Sequence, residues 1–164
     1  MKILDHKKIR QKVKRLAIEI LEHNYEEEEL IIIGINNRGM QVALLLIEEL
    51  KQLKPLPITL TRIRLSPADP LGSPIELEMP VEELNQKTIL LVDDVANTGR
   101  TMFYACKPLM TILPKKIETA VLVDRQHKSF PIKVDYVGLS LATTLKENID
   151  VEIQEAGEFA VFMN

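Results

Sequence analysis

The segment Asp93-Asp94-Val95-Ala96-Asn97-Thr98-Gly99-Arg100-Thr101 holds the densest set of groups able to do chemistry in this chain. The turn Thr98-Gly99-Arg100-Thr101 reads as the start of a helix. Backbone N–H groups at a helix N-terminus, with two hydroxyls beside them, make a site for a phosphate dianion. Gly99 lets the backbone approach a ligand closely. Asp93 and Asp94 have a different task. They can accept hydrogen bonds from a pair of sugar hydroxyls, or hold Mg²⁺ through water. Carboxylates beside a phosphate cradle suit a ligand with hydroxyls and phosphate on one small scaffold, and a ribose 5-phosphate meets that description. An Asp-Asp pair after a strand is, taken alone, an ordinary turn with a helix cap. The spacing to Thr98–Thr101 and the apolar run before it separate this pair from that case.

The elements that must position these groups follow from the hydrophobic pattern. Thr88 to Val92 reads as a buried strand that ends at Asp93, and open α/β sheets bind ligands at such carboxyl ends. Residues 5–24 read as an amphipathic helix, with Ile9, Val13, Leu16, Ala17, Ile20 and Leu21 at helical spacing and Asp5 as N-cap. Leu30 to Ile35 is a nearly pure β-branched run, which predicts a buried parallel strand. Asn36-Asn37-Arg38-Gly39 reads as a turn, and Met40 to Leu53 as a helix. Ile58 to Leu65 alternates apolar and polar residues and reads as a strand. Ser66 to Pro80 holds four prolines and one glycine, the composition of a long functional loop. A helix begins near Arg100, and Pro108 is expected to break it. Further strands are expected at Ile117–Val123, Val134–Val137 and Phe159–Met163. Strands alternating with helices predict an α/β fold with a mostly parallel sheet.

The 164 residues suit one domain spanning 1–164, with 46% hydrophobic and 27% charged residues. No apolar run reaches the roughly 18 residues of a membrane span. No leader-like N-terminus is evident, and Cys106 has no partner cysteine, so the expected location is the cytoplasm. The net charge of −3 disfavours bulk nucleic-acid binding. The charge is uneven, however. Residues 1–24 carry seven Lys or Arg against three acids, and residues 25–50 carry six Glu against Arg38 alone. His6 and His23 are expected to be solvated, and Cys106 to be a core thiol within the helix that begins near Arg100.

The run Ile89 to Thr101 resembles the phosphoribosyl pyrophosphate (PRPP) motif of type I phosphoribosyltransferases. More narrowly, the chain resembles the bifunctional pyrimidine-operon attenuators and uracil phosphoribosyltransferases. That resemblance extends over the N-terminal helix, Gly34–Gly39, Ile58–Arg62, Ala120–His127 and Pro131–Gly138. It implies the type I phosphoribosyltransferase fold, a mostly parallel central sheet flanked by helices, with a small hood. It implies transfer of a ribose 5-phosphate group from PRPP to a nucleobase, uracil favoured, with Mg²⁺ and release of pyrophosphate. Asp93, Asp94, Val95, Ala96, Asn97, Thr98, Gly99, Arg100 and Thr101 would bind PRPP, with Asp93 and Asp94 also facing Mg²⁺ through water. Asn37, Arg38 and Gly39 would take the pyrophosphate. Asp93, Asp94, Arg38 and Arg62 would carry the catalysis, with Arg62 and Arg64 flanking a loop that closes over PRPP. Asp124 and Arg125 would wall the base, and backbone groups from Val123 to Gln126 would read uracil. A homo-oligomer, dimer or tetramer, is expected.

The chain departs from that family at several points. Thr61-Arg62-Ile63-Arg64 stands where Tyr-Arg-Asp-Asp is usual, Ala96-Asn97 where Leu-Tyr is usual, and Gln126-His127 where Gly-His is usual. Purine-type relatives carry an Asp at the position of Asn97, and an Asn cannot act as a general base. The PRPP motif is intact, whereas the base identity is left open. A second reading is an RNA-binding regulator of weak or no catalysis. Lys7, Lys8, Arg10, Lys12, Lys14 and Arg15 would then contact RNA phosphates, although a solvated helix face explains the same cluster. RNA ranks below catalysis, and no membrane partner is expected.

Overall fold

The computed structural model describes residues 1–142, 147–153 and 157–164. Along the chain run β1 (Lys2–Leu4), α1 (His6–His23), β2 (Leu30–Ile35), α2 (Asn36–Leu53), β3 (Ile58–Arg64) and β4 (Glu76–Leu77). They are followed by β5 (Thr88–Ala96), α3 (Arg100–Ala105), β6 (Lys116–Arg125), β7 (Tyr136–Leu141), β8 (Ile149–Ile153) and β9 (Phe159–Met163). Six strands form the main sheet in the order β4-β3-β2-β5-β6-β7. All its pairs are parallel except β3 with β4. This is the expected α/β architecture. No helix among the described residues is long and apolar enough to cross a membrane.

Both faces of the sheet are covered, and strand alternation sorts the side chains between them. Leu30, Ile32, Leu90, Val92, Ala120 and Leu122 join the core built with α1 and α2. Their neighbours Ile31, Ile33, Ile35, Ile89, Leu91 and Val121 join the opposite core with Met102, Ala105 and Leu109. Every residue of β2 is buried. A parallel sheet buried on both sides leaves its strand ends as the place for polar groups. The register aligns those ends: Gly34 lies beside both Arg62 and Val92, and Ala96 lies beside Asp124.

The second sheet is antiparallel, in the order β1-β9-β8, and supplies the expected hood. It joins the two ends of the chain: Lys2 pairs with Phe162, and the Met1 ammonium donates to Met163 O at 2.6 Å. The hydrophobic pattern reveals β9, whose FAVFM is wholly apolar, but not β1, which has only three residues, nor β8, whose apolar residues alternate with acids over five positions.

Several boundaries differ from the pattern reading. Asp5 does cap α1, its carboxylate accepting from the Lys8 N–H at 2.9 Å. β5 runs on through Asp93 and Asp94 to Ala96, so the carboxylates sit inside the strand rather than beyond it. The last strand of the main sheet begins at Tyr136, two residues later than expected, because Val134 packs from the preceding segment. Within the Pro-rich stretch, Glu76–Leu77 pairs back onto β3. The residues Asn36–Gly39 are not a separate turn but the first turn of α2. Asn36 makes the reversal alone at φ +53°, a left-handed conformation that asparagine tolerates. α3 stops at Ala105 and passes into a 3₁₀ turn, Lys107–Thr111, with Pro108 in its first positions, as proline requires. Cys106 is accordingly the C-cap of α3, half-buried rather than mid-helix.

His6 is held rather than solvated: it accepts from the Phe159 N–H at 3.1 Å and stacks on its ring. His23 is exposed, as expected, with its ring edge-on to Tyr136. The two uneven charge blocks partly neutralise each other, since Arg10 of α1 reaches Glu48 and Glu49 of α2 at 3.2 and 3.5 Å.

Helix α2 lies close against the sheet at Gly39, where an added Cβ would stand 2.5 Å from Val92 O. Gly39→Ala must therefore push α2 off β5 next to the carboxylates. We expect a loss of about 1–3 kcal/mol in stability, measured by urea unfolding. A variant as stable as the parent would show that the helix has room to move.

Candidate functional site

The site lies where β2 and β5 end. Two adjoining cavities share Pro67, Asp93, Val95, Asn97 and Thr101 in their walls and form one cleft. The first, about 380 Å³, is lined by the run Val95–Met102 with Ser129 and Phe130 opposite. The second, about 440 Å³, is lined by Asn36, Asn37, Arg38, Asp93 and Asp94, with Ile149 of the hood above.

In the first cavity Gly99 adopts φ +86°, a left-handed conformation natural to glycine. That reversal turns the chain from β5 into α3. Thr98 Oγ1 accepts from the Arg100 N–H at 3.3 Å, and no side chain caps the N-terminus of α3. Across the cavity, the Ser129 and Phe130 N–H groups donate to Thr98 O at 2.9 and 3.1 Å, fixing the outer wall. Phe130 packs against Phe103 and Tyr104. Arg100 donates to Pro67 O at 2.6 Å and ties the long loop down over the cleft.

The second cavity holds opposite charges. Asp93 and Asp94 expose only 8% and 7% of their surface. Each folds back on the chain: Asp93 accepts from the Asp94 N–H, and Asp94 from the Val95 N–H, both at 2.8 Å. Burial, reinforced by the neighbouring Asp94 charge, holds the Asp93 carboxyl well above the usual carboxylate range. Arg38 stands 3.8 Å from Asp94 with its side chain largely exposed, a weak pairing that leaves it able to turn to another anion. α2 has no side-chain cap, so the first N–H groups of an 18-residue helix end at this cavity. Such donors beside Arg38 favour an anion.

All of Asp93–Thr101, Asn37 and Arg38 stand in or between the two cavity walls. Gly39 lies behind them, against Val92 and Asp93. Arg62, Arg64, Asp124 and Arg125 are not on the walls. Asp124 is tied to Lys128 at 2.5 Å, and Arg125 donates to Asn97 Oδ1 at 3.3 Å, an amide that lines the cleft. The Gln126 N–H is taken by Leu141 O, so it is not open to a base. Arg62 is gripped by Glu78 and Asn37. That fork and Arg64 hold the Glu78 carboxyl down to about 2, so it is ionised throughout the neutral range. Sequence reasoning missed Glu78, Lys128 and Phe130. Glu78 had a signal: Ile75-Glu76-Leu77-Glu78-Met79 alternates like a strand, hidden among the prolines.

No group of three or more His, Cys, Asp or Glu side chains among the described residues could hold a metal alone. Two adjacent carboxylates do fit a hard cation such as Mg²⁺, which keeps several waters and takes oxygens from a phosphorylated substrate.

Asp93 also has a consequence for stability. Its folded pKa lies above the unfolded one, so its contribution is fully present below the unfolded value and is lost as pH rises through the folded value. Asp93→Asn removes that loss. We expect the variant to unfold at a higher temperature than the parent at pH 7, with the gap closing towards pH 3. A gap that is constant over this range, or a variant less stable at pH 7, would show that Asp93 is not strained by burial.

Residues 1–156 match the family model described as the phosphoribosyl transferase domain. The bifunctional protein PyrR of Bacillus mycoides (strain KBAB4) is 36% identical over 166 aligned residues, covering 95% of this chain and 92% of that one. The protein of the same name from Bacillus cereus (strain B4264) matches equally well. Among solved structures, the hypoxanthine phosphoribosyltransferase of Trypanosoma cruzi superposes with a TM-score of 0.78 over 98% of this chain and 95% of that chain, at 18% identity. A hypoxanthine-guanine phosphoribosyltransferase (hpt-2) of Bacillus anthracis gives 0.70 over 85% and 81%, at 22% identity. These last two likenesses concern the fold. The family model and the PyrR relatives, each spanning nearly the whole chain, place this protein in the phosphoribosyl transferase domain family, and it is an enzyme of the pentosyltransferase class.

Proposed function

We propose that this cleft binds PRPP and passes its ribose 5-phosphate group to uracil. The observation that carries the reading is the pairing of two cavities on one backbone run, the left-handed Gly99 turn in one and the Asp93–Asp94 pair in the other. The amides and hydroxyls of Thr98–Thr101 receive the 5-phosphate. Asp93 and Asp94 accept from the ribose hydroxyls. Arg38, Asn37 and the open N–H groups of α2 receive the pyrophosphate. In the reaction the bond from the anomeric carbon to pyrophosphate breaks, a bond to a base nitrogen forms, and the proton of that nitrogen passes to solvent or to the departing pyrophosphate. The carboxylates stabilise positive charge growing on the ribose ring, and Arg38 stabilises negative charge on the leaving group. Mg²⁺, held through water by Asp93 and Asp94, would supply further charge neutralisation at the pyrophosphate.

The base reading rests on Asn97. Its oxygen accepts from Arg125, which leaves its NH₂ to donate to a carbonyl of the base. Asn97 cannot remove a proton at neutral pH, which closes a purine route through this side chain. Asp124 and Arg125 support this wall from behind. The reading includes assembly into a dimer or tetramer, supported by exposed Ile18, Tyr25 and Leu53 around one apolar cavity on the α1–α2 face.

The test is a panel of uracil, hypoxanthine, guanine and adenine with PRPP and Mg²⁺, read as pyrophosphate release. We expect slow turnover with uracil and little with the purines, the slowness following from the absent Tyr and acids around Arg62. A purine preference would remove Asn97 from base choice. Tight PRPP binding without turnover would point to a sensor.

The relatives carry the name bifunctional protein, and as a second role we propose RNA binding through the basic face of α1. Lys7, Lys8, Lys12 and Lys14 of α1 form no ion pair among the described residues, whereas Arg10 and Arg15 are engaged by Glu48, Glu49, Glu19 and two carbonyls of β7. Four lysines on phosphates predict a log–log salt slope of about −3 for a single-stranded leader RNA. A flat salt dependence, or no preference over a scrambled RNA, counts against this role.

A further inference from the structure

Glu78 lies outside both cavities, yet one chain of hydrogen bonds leads from it into the cleft. Its backbone N–H donates to Arg62 O at 2.9 Å, and the residues before it pair with β3, Leu77 beside Ile63 and Glu76 beside Arg64. The carboxylate is therefore anchored by the main chain. It takes Arg62 in a fork, with Nε at 2.8 Å from Oε2 and Nη2 at 3.0 Å from Oε1. Arg64 Nε adds a third contact at 2.8 Å. This grip turns the remaining arm of Arg62 towards α2, where Nη1 donates to Asn37 Oδ1 at 2.7 Å. A guanidinium only donates, so the amide of Asn37 presents its oxygen to Arg62. Its NH₂ then faces away, and Asn37 itself lines the cavity that holds Arg38, Asp93 and Asp94.

We infer that Glu78 is a positioning residue: it fixes Arg62, Arg62 fixes the Asn37 amide, and the Asn37 NH₂ donates to an oxygen of the leaving pyrophosphate. This rests on the PRPP reading of the same cleft. Arg62 then serves the reaction through Asn37 rather than by touching the substrate. One carboxylate shared by two guanidiniums leaves a net positive charge beside the cleft, which favours the same anion. A bidentate fork matters because a single hydrogen bond would leave the guanidinium free to rotate.

The test measures binding of PRPP and of ribose 5-phosphate, which lacks the pyrophosphate, by calorimetry with Mg²⁺. The proteins are the parent, Glu78→Gln, Asn37→Ala, the double variant and Arg62→Lys. Glu78→Gln places an NH₂ against one arm of the fork, and Arg62→Lys removes the fork but keeps the charge. We expect each single variant to weaken PRPP about tenfold and to leave ribose 5-phosphate unchanged. The double variant should bind PRPP no more weakly than Asn37→Ala alone, since both act on one donor. Additive losses overturn the relay, as does an equal loss for both ligands, which would mean general loosening of the β3–β4 arm. Unchanged PRPP affinity in Glu78→Gln and Arg62→Lys overturns it as well. Thermal unfolding of each variant shows whether a loss reflects folding, and Arg62→Lys decides the matter if Glu78→Gln is unstable. A parent protein that binds ribose 5-phosphate but not PRPP would remove the PRPP reading itself, and the relay with it, before any variant is compared.

Discussion

Two consecutive carboxylates near the end of a buried strand are an unfavourable arrangement, and much of the surrounding structure answers it. Asp93 and Asp94 cannot move away from each other, because they are consecutive in β5, which pairs with β2 up to Val92 and with β6 as far as Ala96. Each accepts a neighbouring backbone N–H, which offsets part of the cost of burial. The uncapped start of α2 and the exposed Arg38 bring positive potential to within reach. What remains uncompensated is a concentration of negative charge that a cation and a set of hydroxyls would relieve on binding. The strain is thus aligned with the ligand, a common pattern at functional sites.

The central strands and the Thr98–Thr101 turn were legible in the sequence because both are written in consecutive residues. A run such as Leu30–Ile35 has no place but a sheet interior, and Thr98–Thr101 after an apolar strand has few other uses. The elements that escaped notice depend on distant partners. β1 is a strand only because β9 lies beside it, and β4 only because β3 does. Asn36–Gly39 looks like a turn because asparagines and glycine usually mark one. A single left-handed Asn36, locked by its oxygen to the Leu65 N–H, lets the helix begin at once.

The roles of single charges were harder to foresee than their presence. Arg62 and Arg64 share one face of β3 by strand alternation, but no spacing rule links Glu78 to them, and only the β3–β4 pairing brings it there. The same holds for the cationic face of α1. Its formal charge reads as a surface open to polyanions, but Arg10 answers the acids of α2 and Arg15 reaches the carbonyls of Val137 and Gly138. Composition counts charges, whereas packing decides which of them remain available to a partner.

The hood joins the first and last strands of the chain, with Met1 held against Met163. Contacts of that sequence separation are the slowest kind to form, because nearly the whole chain must be closed into a loop before they repay the entropy. The main sheet, from β2 to β7, is built from elements closer together in sequence and can gather its strands before β1 meets β9. β1 has no partner until then. The wall that Ile149 contributes to the cleft hangs from this late sheet, so the cleft gains that wall late in folding, and a copy lacking β8 and β9 would keep the Asp93–Thr101 run without it.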